Sequence, residues 1–402
     1  MIFNYQIYKP NSNRIFLKDI EDTEKYLNCP ACQKFVDYDL VSLFSGKNKI
    51  SLTVCDQCGH TYYRNFLSKK YIDNYYIKDF SASKLLNKKE IEKIHYTVKN
   101  SNRMYLLIKN KLKNINEKKI LEIGCGNGAC LSYLNSKGFK NIFGNEMNKA
   151  RVENASKIPN TIIYEGGYEK IPNQKFDIIY SNHVIEHILD INNFFEKLIK
   201  ISHNNTIIIF NLPDEKYENV FNKIFFIGHA HSFNYNSFIF LSKRFDLNLK
   251  FLNPLRKDEI SIVLSKNKEM LKNFIANESI EIQSPEEIKN SILKPFINSK
   301  NDISFYTIDR TARYNNFPMQ RRKDTFLKIS KLFSVIMYLT LILYKIGEYL
   351  NIRYLERIAD FFVKIGSNKK ILHQGYIKLQ MKDLNSKENV ILNNANCYIE
   401  SK

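Results

Sequence analysis

The chain has 402 residues, 61 Lys and Arg against 41 Asp and Glu, a net charge of +20, and 44% hydrophobic residues. That length holds two or three compact units, and the hydrophobic content, with 28 Phe and 25 Tyr, excludes a mostly disordered chain. The charge would draw the protein toward nucleic acid, anionic lipid or phosphorylated substrates. The excess of Lys, Asn, Ile and Tyr through the whole chain is also what AT-rich codons produce, so the charge by itself names no partner.

The first unit, residues 1–68, reads as a short extended lead to about residue 24 followed by a small cysteine module. The start lacks a long apolar segment, so the expectation is a cytoplasmic protein. Cys29, Cys32, Cys55 and Cys58 form two CxxC pairs separated by 22 residues. Two residues between thiolates let one tight turn put both sulfurs on a single ion, and two such turns complete a tetrahedron. This spacing predicts a structural zinc site rather than a disulfide framework. Four thiolates leave no open coordination position, so the ion would fold and dock the module. His60 is expected at the surface or beside the ligands.

Residues 69–117 are read as a helical bridge or lid, with Met104, Leu107, Ile108, Leu112 and Ile115 making an apolar stripe at mostly three and four residue steps. The main domain, 118–267, alternates strand and helix. Strands are predicted at 120–123, 141–145, 161–164, 176–180, 206–210 and 258–264, with helices at 128–136, 149–156 and 191–201. This order predicts an α/β, doubly wound, Rossmann-like sheet. The TIIIF run at 206–210 has the wholly apolar, β-branched character of a buried central strand.

Residues 268–402 are read as mostly helical and of unknown role. Pro285 and Pro295 are expected to break short helices, Phe305 to Arg322 is polar, a helical pair is expected at 324–345 and 349–363, and weak strand character falls at 389–393. The most apolar run, Leu332 to Tyr344, ends at Lys345, short of the roughly 20 residues a membrane span needs. It reads as a buried helix, with contact of 332–350 at a membrane surface as the second reading and no transmembrane span. Three roles stay open for this region: extending an acceptor pocket, pairing subunits into a homo-oligomer, or touching a membrane.

The densest constellation is Leu121-Glu122-Ile123-Gly124-Cys125-Gly126-Asn127-Gly128. A buried strand ends in a G-x-G-x-G run and gives way to a helix, so backbone can approach a bound nucleoside and helical N–H groups face it. Glu146 falls at the end of the next strand, where a carboxylate can accept both hydroxyls of a ribose. Cys125 and Cys130 fall where packing, not nucleophilic chemistry, is expected.

These residues resemble a known family. LEIGCGNG is similar to the first motif of class I S-adenosylmethionine-dependent methyltransferases. Phe176 to Ile188 (FDIIYSNHVIEHI) resembles their fourth-strand motif, and IIIFNLP at 207–213 their fifth strand and its loop. The resemblance covers roughly 119–267. It implies that Glu122 and the loop through Gly124, Cys125, Gly126 and Gly128 hold the amino-acid and sugar parts of S-adenosylmethionine, with Glu146 on the ribose. It further places Met147, Gly167, Tyr168, Asn182 and His183 around the cofactor. Family members commonly carry an Asp after the third strand, where this chain has Gly166-Gly167-Tyr168. The two cysteine knuckles ahead of such a domain resemble bacterial enzymes that methylate nucleotide-linked sugars or surface-glycan precursors, with Tyr75 and Tyr76 in the position of their tyrosine-rich lid.

Methyl transfer needs an aligned nucleophile, a proton acceptor and exclusion of water. The candidate bases are His183, His229, His231 and Tyr76. His187 is expected to pack or to hydrogen-bond, and Asp190 to cap the following helix. The expected activity is methylation of a small-molecule acceptor, a carbohydrate, in polysaccharide biosynthesis. Two other readings are an RNA or protein methyltransferase docking through the basic surface and zinc module, and a non-catalytic protein that keeps the fold. The first of these is disfavoured because no Pro-Pro-Tyr or Pro-Pro-Phe follows Tyr180.

Overall fold

The structure, a computed structural model, describes residues 23–45, 48–74, 76–77, 102–217, 229–297, 307–308, 371–373 and 376–379. Its strands in chain order are β1 (Thr23–Lys25), β2 (Val41–Ser45), β3 (Asn48–Val54), β4 (Thr61–Leu67), β5 (Lys119–Ile123), β6 (Asn141–Glu146), β7 (Thr161–Glu165), β8 (Phe176–Asn182) and β9 (Ser202–Pro213), then β10 (His231–Ser232), β11 (Asn248–Leu252), β12 (Glu259–Ser265), β13 (Thr307–Ile308), β14 (Ile371–His373) and β15 (Tyr376–Leu379). The chain divides into two compact units. One comprises Asp22–Asp39 and Leu52–Ile292; the other includes Leu40–Ser51 and the chain from Leu293 on.

The first unit is built on a seven-stranded sheet in the order β11-β12-β9-β8-β5-β6-β7. Strands β5 to β9 run parallel, while β12 runs antiparallel to β9 and β11 antiparallel to β12. Period-two alternation sends side chains to both faces. Ile120, Ile178, Ile207, Ile209 and Val263 join one buried cluster with Leu131 and Leu134 of the Ala129–Ser136 helix. Leu121, Ile179, Ile208, Phe210 and Ile262 join the other with Phe194, Phe195 and Leu198 of the Ile191–Lys200 helix. Both faces are covered, as the apolar β9 requires, and each such side chain contributes about 1.5–3 kcal/mol. The mostly parallel, helix-covered sheet is the α/β Rossmann-like arrangement that the sequence predicts.

Strand order reverses between β5 and β8, which opens a crevice at their carboxyl ends. Asp190 caps the Ile191–Lys200 helix by accepting from Asn193 N at 3.0 Å. The cysteine module is stitched into the same unit: β1 and β10 each pair antiparallel with β4, His231 lying opposite Tyr62.

Several expectations need correction. The bridge stripe is α-helical only over Arg103–Ile108, because Asn110 and Asn114 take left-handed backbone at φ 59° and 50°. Leu112 still packs on the core from a bend, and Ile115 from the short 3-10 helix Ile115–Glu117, so only the α-helix stops at Ile108. Pro295 lies inside the Pro285–Ile297 helix, whose first residue is Pro285. β9 extends well beyond 206–210, and β11 and the Tyr235–Arg244 helix complete the sheet region. In the second unit, β15 pairs antiparallel with β2 and β13 with β14. The extended lead as far as residue 22, the helical pair at 324–363, the 332–350 run, the strand at 389–393 and Tyr75 lie outside the described residues. Among the described residues no helix is long and apolar enough to cross a membrane.

Candidate active site and cysteine centre

At the end of β5 the loop runs through Gly124, Gly126 and Gly128, at φ 73°, 56° and 80°. The N–H groups of Gly124 and Cys125 both donate to the Asn145 carbonyl at 2.9 Å, tying the loop to β6. A side chain at Gly128 would press into Ile158 and Ala155, so this glycine serves helix packing. At Gly126 a Cβ would meet nothing within 4 Å, so no protein atom packs on that side of its backbone.

Glu146 ends β6 and lines the crevice. One oxygen accepts from Gly126 N at 2.9 Å, the other from Met147 N and Asn148 N, each at 2.9 Å. The crevice wall includes Ile123, Gly124, Asn145, Glu146, Met147, Gly167, Tyr168, His183, Val184 and His187. The bridge supplies further wall: Lys69, Ile72, Asp73 and Tyr76. It is fastened there by Lys69, which pairs with Glu169 at 3.2 Å as well as with Asp73 of its own helix at 2.6 Å, and by Asn148 Nδ2 donating to the Ile77 carbonyl at 3.0 Å.

Five expected cofactor contacts are not on this wall: Gly126 and Gly128, further along the loop, and Glu122, Cys125 and Asn182. Glu122 follows the strand alternation to the opposite face from Ile123. Burial, then the charge of Glu146, raise its pKa well above the usual carboxylate range. Cys125 is buried on the helix side, close against Gly144. Asn182 is consumed by a polar network: its Oδ1 accepts from Arg103 at 3.2 Å and from Asn211 at 2.8 Å.

That network centres on Glu259, 1% exposed, which receives Arg103 Nη1 on both oxygens at 2.8 and 2.9 Å and His183 Nε2 at 2.9 Å. His183 Nδ1 stands 3.4 Å from Glu186. Burial would lower the His183 pKa, but Glu186 and Glu259 push it up to about 9. A cationic His183 is suited to electrostatic support and not to taking a proton. Burial likewise opposes ionisation of Glu186 and Glu259, yet their histidine neighbours, with Arg103 at Glu259, hold both at about 2.

The pH consequence has two limbs. The depressed carboxylates contribute stability above about pH 4.5 that is lost as pH falls toward 2; the raised His183 contributes stability below about 6.5 that is lost as pH rises through 9. Thermal unfolding is expected to peak between those values, and His183→Gln to flatten the alkaline limb; an unchanged alkaline limb in melting curves would dismiss the assignment.

The other histidines separate sharply. His231, 4% exposed, is a tie and not a base: its Nδ1 lies 3.2 Å from His60 Nε2 and its Nε2 3.4 Å from the Leu189 carbonyl. Burial lowers its pKa to about 4. His60 is fully buried, not superficial, and its Nδ1 meets Ser237 Oγ at 3.0 Å. Burial, then His231, depress its pKa. His187, expected to be structural, lines the crevice, with the Tyr76 ring at 5.5 Å and the His229 ring at 4.9 Å. Asn145, Lys69, Asp73 and Glu169 were not foreseen; Asn145, preceding Glu146, had a signal in its position, the others none.

The four module sulfurs lie within 4.8 Å of one another, with Cys29 to Cys58 at 3.5 Å and Cys32 to Cys55 at 3.4 Å. The residue after each CxxC, Gln33 and Gly59, takes left-handed backbone at φ 65° and 69°, closing two like knuckles. Four thiolates at this spacing suit a tetrahedral zinc ion, whose S–S edges are roughly 3.8 Å for Zn–S of about 2.3 Å. Arg244 donates to the Pro30 and Ala31 carbonyls at 2.8 and 2.9 Å, and Asn234 to the Gly59 carbonyl at 2.8 Å. Both knuckles are thus gripped by residues around the Tyr235–Arg244 helix.

Residues 96–249 match the family described as methyltransferase domain. Across those residues the chain is similar to a methyltransferase domain. Solved structures similar to this chain include an S-adenosylmethionine-dependent methyltransferase from Mesorhizobium loti, at 12% identity over 41% of this chain and 97% of that one, with a TM-score of 0.35. Another from Aquifex aeolicus has 11% identity over 45% of this chain and 100% of that one, with a TM-score of 0.36. The plantazolicin methyltransferase solved with SAH has 13% identity over 49% of this chain and 94% of that one, with a TM-score of 0.36. No curated protein sequence matches the chain.

Proposed function

We propose that the methyltransferase domain moves the methyl group of S-adenosylmethionine to an oxygen, nitrogen or activated carbon of a small carbohydrate acceptor, and that zinc holds the cysteine module. The observation that carries the cofactor assignment is Glu146. It lines the crevice, and its carboxylate accepts from the N–H of Gly126, where no protein atom lies within 4 Å of an added Cβ; ribose hydroxyls can replace part of that bonding. S-adenosylmethionine supplies an electrophilic methyl carbon on a positively charged sulfur. The chain's own residues hold the nucleoside, orient the acceptor and take its proton. Tyr168 and Met147 offer apolar surface for the adenine, and Tyr76 and His187 stand at the acceptor side as proton acceptors. The bridge helix Lys69–Asn74 helps exclude water, which strengthens electrostatics at the reacting atoms.

A carbohydrate acceptor is supported by the polar wall of Asp73, Asp190, Glu169, Lys69 and Arg151, which offers donors and acceptors to hydroxyls, and by the knuckles ahead of the domain. The test is incubation of the full chain with methyl-labelled S-adenosylmethionine and separate panels of nucleotide sugars, RNA and protein. Label is expected in a nucleotide sugar. Label in RNA or protein, with none in sugars, would replace the acceptor class.

A further inference from the structure

We propose that Glu186, His187 and His229 form a second metal site, for one divalent first-row transition ion, at the acceptor side of the crevice. One ligand atom from each lies within 4.8 Å of the other two. Ligands at about 2.0–2.2 Å from an ion sit roughly 3–4 Å apart, so small rotamer adjustments close the site. Glu186 and His187 are adjacent in the turn Ile185–His187 after β8, and His229 arrives just before β10, which is fixed by pairing with β4. The two imidazoles are tilted by 55°, an arrangement in which one nitrogen of each can turn toward a common point.

The second observation is the state of Glu186. It is 2% exposed, and neither carboxylate oxygen has a hydrogen-bond partner among the described residues. The nearest nitrogens are His183 Nδ1 at 3.4 Å and His187 Nε2 at 3.8 Å. At those distances the imidazoles offset the charge of Glu186 without a full hydrogen bond to either oxygen, and an ion held directly by the carboxylate would complete its partnering. Imidazole and carboxylate together suit zinc, manganese, iron, cobalt or nickel, and three protein ligands leave positions open. His187 lines the crevice and stands against Tyr76, so an acceptor hydroxyl can reach those positions.

The role of this ion rests on the methyl-transfer reading; its binding does not. An acceptor hydroxyl coordinated there loses its proton to solvent, and His187, now a ligand, gives up the proton-accepting role it has in the metal-free reading. Its oxygen then bonds to the methyl carbon as the carbon–sulfur bond breaks, the electron pair leaving with sulfur as a neutral thioether.

The experiment uses the full chain, stripped of metal and reloaded with Co²⁺ or Mn²⁺. Two equivalents of Co²⁺ are expected, one giving the charge-transfer bands of thiolate ligation and one the weak visible bands of nitrogen and oxygen ligation. His229→Ala is expected to lose one equivalent and the second set of bands, keep the thiolate bands, and weaken Mn²⁺ binding by paramagnetic resonance at least tenfold. A wild-type chain with one equivalent of Co²⁺ and no bound Mn²⁺ overturns the site, as does a two-equivalent stoichiometry that His229→Ala leaves untouched. Should that variant not fold, the wild-type stoichiometry and Mn²⁺ signal decide. Calorimetry with S-adenosylmethionine on the same samples separates the two ideas: cofactor binding without the second ion sinks the site alone, and the second ion without cofactor binding sinks methyl transfer alone.

Discussion

Cys58→Ser is expected to remove one metal equivalent and lower the thermal unfolding temperature by more than about 10 °C, an effect of several kcal/mol at the unfolding midpoint. The sulfur is wholly buried and 3.5 Å from that of Cys29, so a hydroxyl there neither ligates zinc well nor fills the volume. Structural zinc contributes about 10–16 kcal/mol in small finger peptides, and a module of this size buries too little apolar surface to fold without help. The loss would spread, because the knuckle carbonyls of Pro30, Ala31 and Gly59 are the acceptors for Arg244 and Asn234. Metal analysis with scanning calorimetry reads both quantities; full metal content and an unchanged melt would dismiss the four-cysteine centre.

The second large effect is on the cofactor. Glu146→Ala is expected to weaken S-adenosylmethionine binding at least a hundredfold, about 2.7 kcal/mol, since a charged acceptor is lost and the N–H groups of Gly126, Met147 and Asn148 lose theirs. Gly126→Ala provides a control with a different balance. Its Cβ meets no protein atom, so the folded state pays only the left-handed backbone cost of about 1–2 kcal/mol, while the methyl group occupies space the nucleoside needs. Titration calorimetry is expected to show at least a tenfold loss of affinity in a protein that still folds. Wild-type affinity in both variants would remove the basis for the cofactor assignment.

The parts of this site that could be read in the sequence are those made by neighbours along the chain. Strand, glycine loop and helix follow in order from Lys119 to Ser136, and Glu146 is placed by one more β-α-β step. The CxxC knuckles are local for the same reason. What could not be read depends on contacts distant in sequence. Asn182 is drawn off the wall by Arg103 and Asn211, and Glu259 enters because β12 returns antiparallel beside β9. His229 and His231 differ by two positions yet face different fates, since β10 pairs with β4 and buries His231 against His60. Glu122 shows the opposite error: the motif position is right, but strand alternation turns it away from Ile123. In the bridge, periodicity overran Ile108 because the left-handed turns at Asn110 and Asn114 leave no trace in an apolar pattern.

The grip of the Tyr235–Arg244 region on the knuckles also sets an order of events during synthesis. His60 waits 171 residues for His231 and 177 for Ser237, and Pro30 waits 214 for Arg244. At about 5–20 residues per second, the ribosome leaves the cysteine module without its docking partners for some ten seconds or more. Metal capture during that interval would keep the emerging thiols from reacting with oxidants or with one another until the downstream half arrives.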